Sequence, residues 1–375
     1  MYSVETITGV DEFNALRRDW NGLLNEHSRY RPYLEHEWFE LWLNYFMDGN
    51  RLRILVVKEE DQIKAIAPLV EKITKFKGIP IKKIDLIGNI ASPARRFLLA
   101  EPEEEKKILH AIFGSLRGCR DWSLLELHSL PMEDVNLGVL REVVRENNLA
   151  FDEFFCFGNW YLHEINYSGD EYLKGRTSNI AKNIKRYRRK LQELGELRFE
   201  LVKNESDEKI DRYMDQFYQV FKGSWKDWEV HPSFHRSLAK ISRTKGWLRL
   251  GFLLLGEIPI ATQLWLVCNR TAYIVRLAYD EAYRKMIPGV ILTAEMIKYA
   301  IDIDKVTEVD SLIGDEEYKK DWTPERRERR GLLIFNDDLK GRFLSLLVKS
   351  AIPFAERHES IKKMKARISR LLSIS

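Results

Sequence analysis

Between Asp310 and Trp322 the chain carries two carboxylates (Asp310, Asp315), a phenol (Tyr318), an amine (Lys319) and an indole (Trp322). A short apolar run, Val306, Val309, Leu312 and Ile313, leads into this stretch and ends in Gly314-Asp315. Reactive side chains at an open strand end are where α/β proteins tend to place chemistry. Transfer to an amine needs a group that takes the amine's proton and one that protonates what departs. Asp310 and Asp315 suit the first task, or the orientation of an ammonium, and Tyr318 suits the second. Lys319 could hold an anionic acceptor or the developing oxyanion, and Trp322, one turn after Tyr318, could wall the pocket. Each also has an ordinary structural role: Asp315 as a helix cap before Glu316, Tyr318 and Trp322 as an i, i+4 packing pair.

Weaker candidates lie upstream. Arg276 interrupts an apolar run (Ile274, Val275, Leu277) and needs an acidic partner if buried, with Asp310 or Asp315 available. Gln263 lies mid-strand and is expected to read the acceptor or to face solvent. His128, at the position expected to match Asp310 in an earlier part of the chain, reads as structural. His231 and His235 stand at i, i+4 without a carboxylate or Cys nearby, so no metal site is expected.

The elements around these residues repeat. Arg53–Val57 and Ile63–Val70 flank a turn at 59–61 and read as a hairpin, as do Arg249–Leu255 and Ile258–Val267 around Gly256-Glu257. Each hairpin leads to a third strand (Lys83–Ile87; Ala272–Tyr279), a helix (Glu103–Leu116; Gly289–Ile301) and a closing strand (Ser123–Leu130; Thr307–Ile313). Helices are expected over Asp11–Asn25, Glu37–Phe46, Asp207–Phe221 and Pro232–Arg243, and Asn159–Tyr167 reads as the connection between copies. Ile180, Ile184, Tyr187, Leu191 and Leu194 form an apolar stripe whose other faces carry Lys182, Lys185, Arg186, Arg188, Arg189 and Lys190. Two α/β units follow: 1–158, a degenerate copy, and 159–336, the catalytic copy, with a basic amphipathic helical tail over 337–375.

At 375 residues, with 45% hydrophobic and 31% charged, the chain is long enough for two cores and too apolar to be disordered. Three scattered cysteines form no CxxC pair, which favours a reducing compartment, the cytoplasm. No signal peptide is expected from Met1-Tyr2-Ser3-Val4-Glu5, and no apolar run approaches the roughly 20 residues that span a bilayer. The net charge of +4 is concentrated: seven Lys or Arg and no acid from Arg176 to Gln192, and nine basic against four acidic residues from Asp337 onward. Such faces are solvated surface or attract phosphates, anionic lipid or RNA. The tail is expected to permit peripheral contact with the inner face of the membrane.

The order of helices, hairpin, third strand, helix entered through Pro288-Gly289 and closing strand resembles the Gcn5-related N-acetyltransferase (GNAT) fold. Two copies in tandem resemble the FemAB-type transferases. The basic helix at Asn179–Lys190, the Pro288-Gly289 turn and the ending Gly314-Asp315-x-x-Tyr318-Lys319-x-x-Trp322 are similar to the CelD-like or BioF2-like acetyltransferase family. The first copy has neither the Pro-Gly entry nor the closing motif. The resemblance implies an α/β (α+β) fold of tandem units, each a mixed, mostly antiparallel sheet flanked by helices. It implies an N-acyltransferase that uses acyl-CoA as co-substrate, with no permanently bound cofactor. The acceptor would be an amine on an amino sugar or another cell-envelope or polysaccharide precursor. The CoA pyrophosphate would lie on Arg284, Lys285, Ile287, Pro288, Gly289 and Val290, and the pantetheine arm along Tyr273 to Tyr279. Typical GNATs have a fuller Gly-rich loop at that point. A FemAB-like transferase using aminoacyl-tRNA, with the basic helix on the RNA backbone, is one alternative. A non-catalytic basic module for RNA, lipid or nucleotide sugar is another.

Overall fold

The computed structural model describes residues 1–25, 30–89, 91–100, 102–176, 178–225 and 231–350. The expected membrane-contacting tail lies for the most part outside the described residues. In chain order the elements are β1 (Tyr2–Ile7), α1 (Val10–Ala15), α2 (Arg17–Asn25), α3 (His36–Phe46), β2 (Arg51–Leu52), β3 (Ile54–Glu59), β4 (Gln62–Ala67), β5 (Leu69–Phe76), β6 (Ile79–Leu86), β7 (Leu98–Leu99), α4 (Glu105–Gly118), β8 (Leu124–Pro131), α5 (Leu137–Glu146) and β9 (Ala150–Leu162). They continue with α6 (Gly169–Lys174), α7 (Ser178–Gln192), β10 (Leu197–Val202), α8 (Asp207–Lys222), α9 (Pro232–Thr244), β11 (Leu248–Leu255), β12 (Ile258–Cys268), β13 (Thr271–Tyr279), α10 (Pro288–Asp302), β14 (Glu308–Asp310), β15 (Glu325–Phe335) and α11 (Leu339–Ser350). Mixed sheets flanked by helices match the fold class expected from the sequence.

The chain forms two compact units. Among the described residues, the first takes 1–25, Phe46–Cys156 and 329–350; the second takes Tyr30–Tyr45 and Phe157–Glu328. The boundaries therefore differ from a simple cut near 158. Helix α3, expected to serve the first copy, packs in the second unit, where Trp38 and Tyr45 both make edge contacts with Phe234 of α9.

In the first unit, β1, β3, β4 and β7 form one sheet, while β2, β5, β6, β8 and β15 lie in another. The expected single strand Ile63–Val70 is split at Pro68 into β4 and β5, one in each sheet. A proline cannot donate to a ladder, so a strand that changes sheets bends there at little cost. Helix α4 lays Ile108, Leu109, Ile112, Phe113 and Leu116 into the first unit's core with Val143 and Val144 of α5. In the second unit the strand order is β10-β11-β12-β13-β14-β9. The first four strands are antiparallel neighbours, and β13 and β14 are parallel. Apolar residues nearly all round α10 (Ile291, Leu292, Ala294, Met296, Ile297, Ala300, Ile301) bury it over this sheet. Gly251 of β11 sits beneath it, where a Cβ would collide with the Met296 sulfur. Among the described residues no helix is long and apolar enough to cross a membrane.

Both units close in the same way. Strand β6 meets β8 in parallel over three rungs, Lys83↔Leu124, Ile84↔Leu125 and Asp85↔Glu126. Strand β13 meets β14 in parallel over three, Thr271↔Glu308, Ala272↔Val309 and Tyr273↔Asp310. In each case a helix crosses between the strands, α4 in the first unit and α10 in the second. The ladder thus matches Asp310 with Glu126. His128, two residues further along, is not its counterpart.

Candidate active site

The site is a fork in the second unit's sheet. After Tyr273↔Asp310, β13 runs on to Tyr279 while the chain beyond β14 follows β9, with the Ser311 N–H on the Trp160 carbonyl (2.9 Å) and a bridge from Gly314 to Asn159. Val275 is the extra residue of a bulge on β13, because Leu264 faces Arg276 and Trp265 faces Ile274. A bulge turns its strand and sharpens the twist, which helps the two strands part. Beyond Tyr273, β13 no longer pairs with β14.

Next comes the entry of α10. A 3-10 turn over Glu281–Met286 brings the chain to Ile287, in the left-handed region at φ 49°. A β-branched residue pays strain there, so the turn is held by its surroundings. Pro288 has no N–H, and the Val290 and Ile291 N–H groups both bond the Ile287 carbonyl (3.0 and 3.2 Å). Gly289 is thus the first-turn residue whose N–H has no protein partner among the described residues. A Cβ at Gly289 would lie 3.0 Å from Tyr279 Cδ1, so glycine keeps strand and helix close. Arg284 is well exposed, with Glu281 at 3.5 Å, and Tyr279 stacks 4.5 Å from Trp225. Helix α7, with Lys182, Lys185, Arg186, Arg189 and Lys190 on exposed positions, packs against this same turn.

Gln263 turns out to serve this entry. It is buried, gives Nε2 to Thr293 Oγ1 (2.7 Å) and the Gly289 carbonyl (3.4 Å), and accepts from Trp265 Nε1 (2.8 Å). With both ends of its amide engaged it fixes the start of α10, rather than facing solvent or an acceptor. Arg276 donates Nε to His235 Nε2 (3.3 Å). Its expected carboxylates have other partners.

Asp310 is one of them. Only 1% exposed, it accepts from Asn159 Nδ2 (2.6 Å) and the Leu312 N–H (2.7 Å) on one oxygen and from Arg327 on the other (2.5 Å). Arg327 also reaches Glu308 (2.9 Å) and Asn159 Oδ1 (2.6 Å) and lies 4.3 Å from the Tyr161 ring centroid. Burial raises the Glu308 carboxyl above its ordinary range, against the opposing pull of Arg327. Glu308, Asp310, Asn159, Tyr161 and Arg327 thus form one buried polar network beside the fork. On β13, Tyr273 is fully buried, its hydroxyl has no partner among the described residues, and its phenol is held well above the usual range by desolvation.

The closing motif is braced by its own side chains. Lys319, buried, sends its ammonium to the Ser311 carbonyl (3.2 Å), the Ile313 carbonyl (2.5 Å) and Glu316 (3.0 Å). An ammonium has three donors, and all three are engaged in the turn. Asp315 forms a two-pronged pair with Arg326 (2.9 and 2.7 Å), over Gly158, where any Cβ would strike both partners. It is not the N-cap of the 3-10 turn over Glu317–Asp321, which is Glu316. Trp322 is buried in the core under α10, and its carbonyl accepts from the Tyr172 hydroxyl. Tyr318 is exposed, at 49%, with its phenol raised to about 12 by burial of the ring and the Glu316 charge.

Sequence reading located this fork but missed Asn159, Tyr161, Glu308 and Arg327. A charge alternating with apolar residues on β14, Glu308-Val309-Asp310, was the available signal that one face there needs a cation. Among the described residues no group of three or more His, Cys, Asp and Glu is placed to hold a metal.

In the first unit the corresponding fork is filled. After Asp85↔Glu126 the chain turns through Gly88 and Asn89, and the Arg95 N–H bonds the Ser129 carbonyl of β8 (3.1 Å). That bond holds Arg95 against β8 beyond the ladder.

A three-rung parallel ladder, a bulged strand leaving it and a crossing helix entered through Pro-Gly give the second unit a GNAT-like fold. Residues 178–320 match the family model described as an acetyltransferase (GNAT) domain. The solved structure of FemX is similar at a TM-score of 0.62 and 12% identity, over 92% of this chain and 99% of that one. A conserved protein of unknown function from Bacteroides thetaiotaomicron is similar at 0.53 and 10%, over 90% of this chain and 100% of that one. No curated protein matches this chain.

Proposed function

We propose that the second unit transfers an acyl group from an acyl thioester of CoA to an amine, the acceptor being an amino sugar or a related cell-envelope precursor. The observation that carries this reading is the fork: β13 leaves β14 after Tyr273↔Asp310 and runs on to Tyr279, beside the Pro288-Gly289 helix entry. Pantetheine amides would add to β13 as an extra strand, and the donor's phosphates would meet the Gly289 N–H, Arg284 and Lys285. The amine attacks the thioester carbonyl, a C–N bond forms and the C–S bond breaks. The amine's surplus proton leaves to a base, and the thiolate takes a proton from an acid. Tyr318, protonated at neutral pH and half exposed, is the residue we assign to protonate the thiolate. Glu308, raised by burial, suits the base better than Asp310, whose oxygens are already filled. Asp315, Lys319, Trp322 and Gln263 then act by holding the fork's walls.

One observation favours a second donor. With Pro288 lacking an N–H and Val290 turned inward, the helix entry offers fewer donors than a full glycine-rich loop, while α7 spreads cations along an exposed face. An aminoacyl-tRNA, with phosphates spaced along a backbone, would use such a face. Calorimetry with acetyl-CoA, longer acyl-CoAs and CoA decides between them. Saturable binding that Gly289→Val weakens at least tenfold supports the thioester reading. Absence of CoA binding, with salt-sensitive tRNA binding lost in Lys185→Gln/Arg186→Gln, replaces it with the second. Binding of neither donor removes both.

A further inference from the structure

Near the filled fork of the first unit a cation stands in surplus. Asp85 is paired with Lys83 (2.8 Å) and Lys72 (3.1 Å), and Glu126 with Lys83 (2.5 Å). The two carboxylates are thus already satisfied by two lysines. Among the described residues Arg95, in the same cluster, has no carboxylate within ion-pair distance. Its one side-chain hydrogen bond among them runs from a terminal nitrogen to the Asn89 carbonyl (2.8 Å), and its Nε is sealed from solvent with no partner there. The guanidinium lies against Gly88, where a Cβ would come within 2.6 Å of Nε, so the backbone is cut away to receive it. His128, on β8 beside it, adds no compensating charge: burial and the nearby cations hold its imidazole down to about 3, and its Nδ1 meets Ser129 Oγ at 2.6 Å. Desolvation outweighs the distant carboxylates and lowers the Arg95 guanidinium as well. A partly desolvated guanidinium without a counter-ion is costly, and its planar fork matches a carboxylate or phosphate.

We propose that the first unit binds a singly charged oxyanion group, a carboxylate or a phosphate diester, on Arg95 between the Gly88-Asn89 turn and β8. Lys72, Lys83 and Arg95 against Asp85 and Glu126 leave one positive charge, which one such group would balance. The site is independent of the donor reading for the second unit.

Thermal unfolding of the full chain at fixed ionic strength, with inorganic phosphate, acetate or chloride added, tests this. A ligand that binds only the folded state raises the melting temperature in a saturable way. Phosphate or acetate is expected to do so and chloride is not, and the effective anion names the class. Arg95→Met is expected to abolish the shift and Arg95→Lys to weaken it at least tenfold in apparent affinity. Circular dichroism of each variant shows that it has folded. If Arg95→Met does not fold, Arg95→Lys alone decides. Equal responses of wild type and Arg95→Lys, or a response to chloride as large as to phosphate, overturn the proposal.

Discussion

Replacing Arg327 by Met tests whether the buried network holds the fork. The side chain would keep much of its apolar stem, and Asp310 would lose the ion pair at its Oδ2 while remaining 1% exposed. The other oxygen would keep Asn159 and Leu312. Removing one partner of a buried pair costs about 3–5 kcal/mol, because the remaining charge stays desolvated. The contact with Tyr161 contributes about 0.5–1 kcal/mol more. A loss of about 4 kcal/mol in the urea unfolding free energy is therefore expected, with an unchanged m-value. Asp310→Asn in the Arg327→Met background should recover about 1–2 kcal/mol by removing the orphaned charge. A single-variant loss below about 1 kcal/mol, or a double variant that recovers nothing, would show that solvent reaches Asp310 and that the network does not hold the strands.

Lys319→Met should destabilise the chain by about 1–3 kcal/mol by stranding the Ser311 and Ile313 carbonyls, and limited proteolysis should cut sooner in 311–322. Tyr318→Phe should leave the melting temperature within about 2 °C and lower turnover at least tenfold under the acyl-transfer reading; unaltered turnover would remove Tyr318 as the acid. Asp121, paired with Arg53 and Lys82, titrates at about 2 in the folded chain instead of 3.8. A depressed carboxyl contributes stability that is fully present above 3.8 and lost as pH falls toward 2. Because Asp121 is half exposed, about 1 kcal/mol is expected, and Asp121→Asn should flatten the stability profile between those values.

The order of elements was legible because hairpins and amphipathic stripes are local patterns. The site's partners were not. Asp310 finds Arg327 and Asn159 on two other strands, at separations that no spacing rule covers. The same holds for Gln263, whose alternation suggests a strand residue but not that Thr293 and Gly289 lie above it. Leu312, left-handed at φ 53°, ends β14 three residues earlier than the hydrophobic run suggests. The assignment of α3 to the first copy failed for a related reason: its aromatic face fits any core, and only tertiary contact with α9 selects one.

The filled fork of the first unit has a bearing on stoichiometry. A segment tethered at both ends competes with any free ligand at an effective concentration in the millimolar range or above. An extended donor that binds β13 at micromolar concentration would have to displace the Arg95 N–H from the Ser129 carbonyl to bind β8, and would fail. A donor titration of the whole chain should end at one equivalent, so duplication here leaves a single donor site.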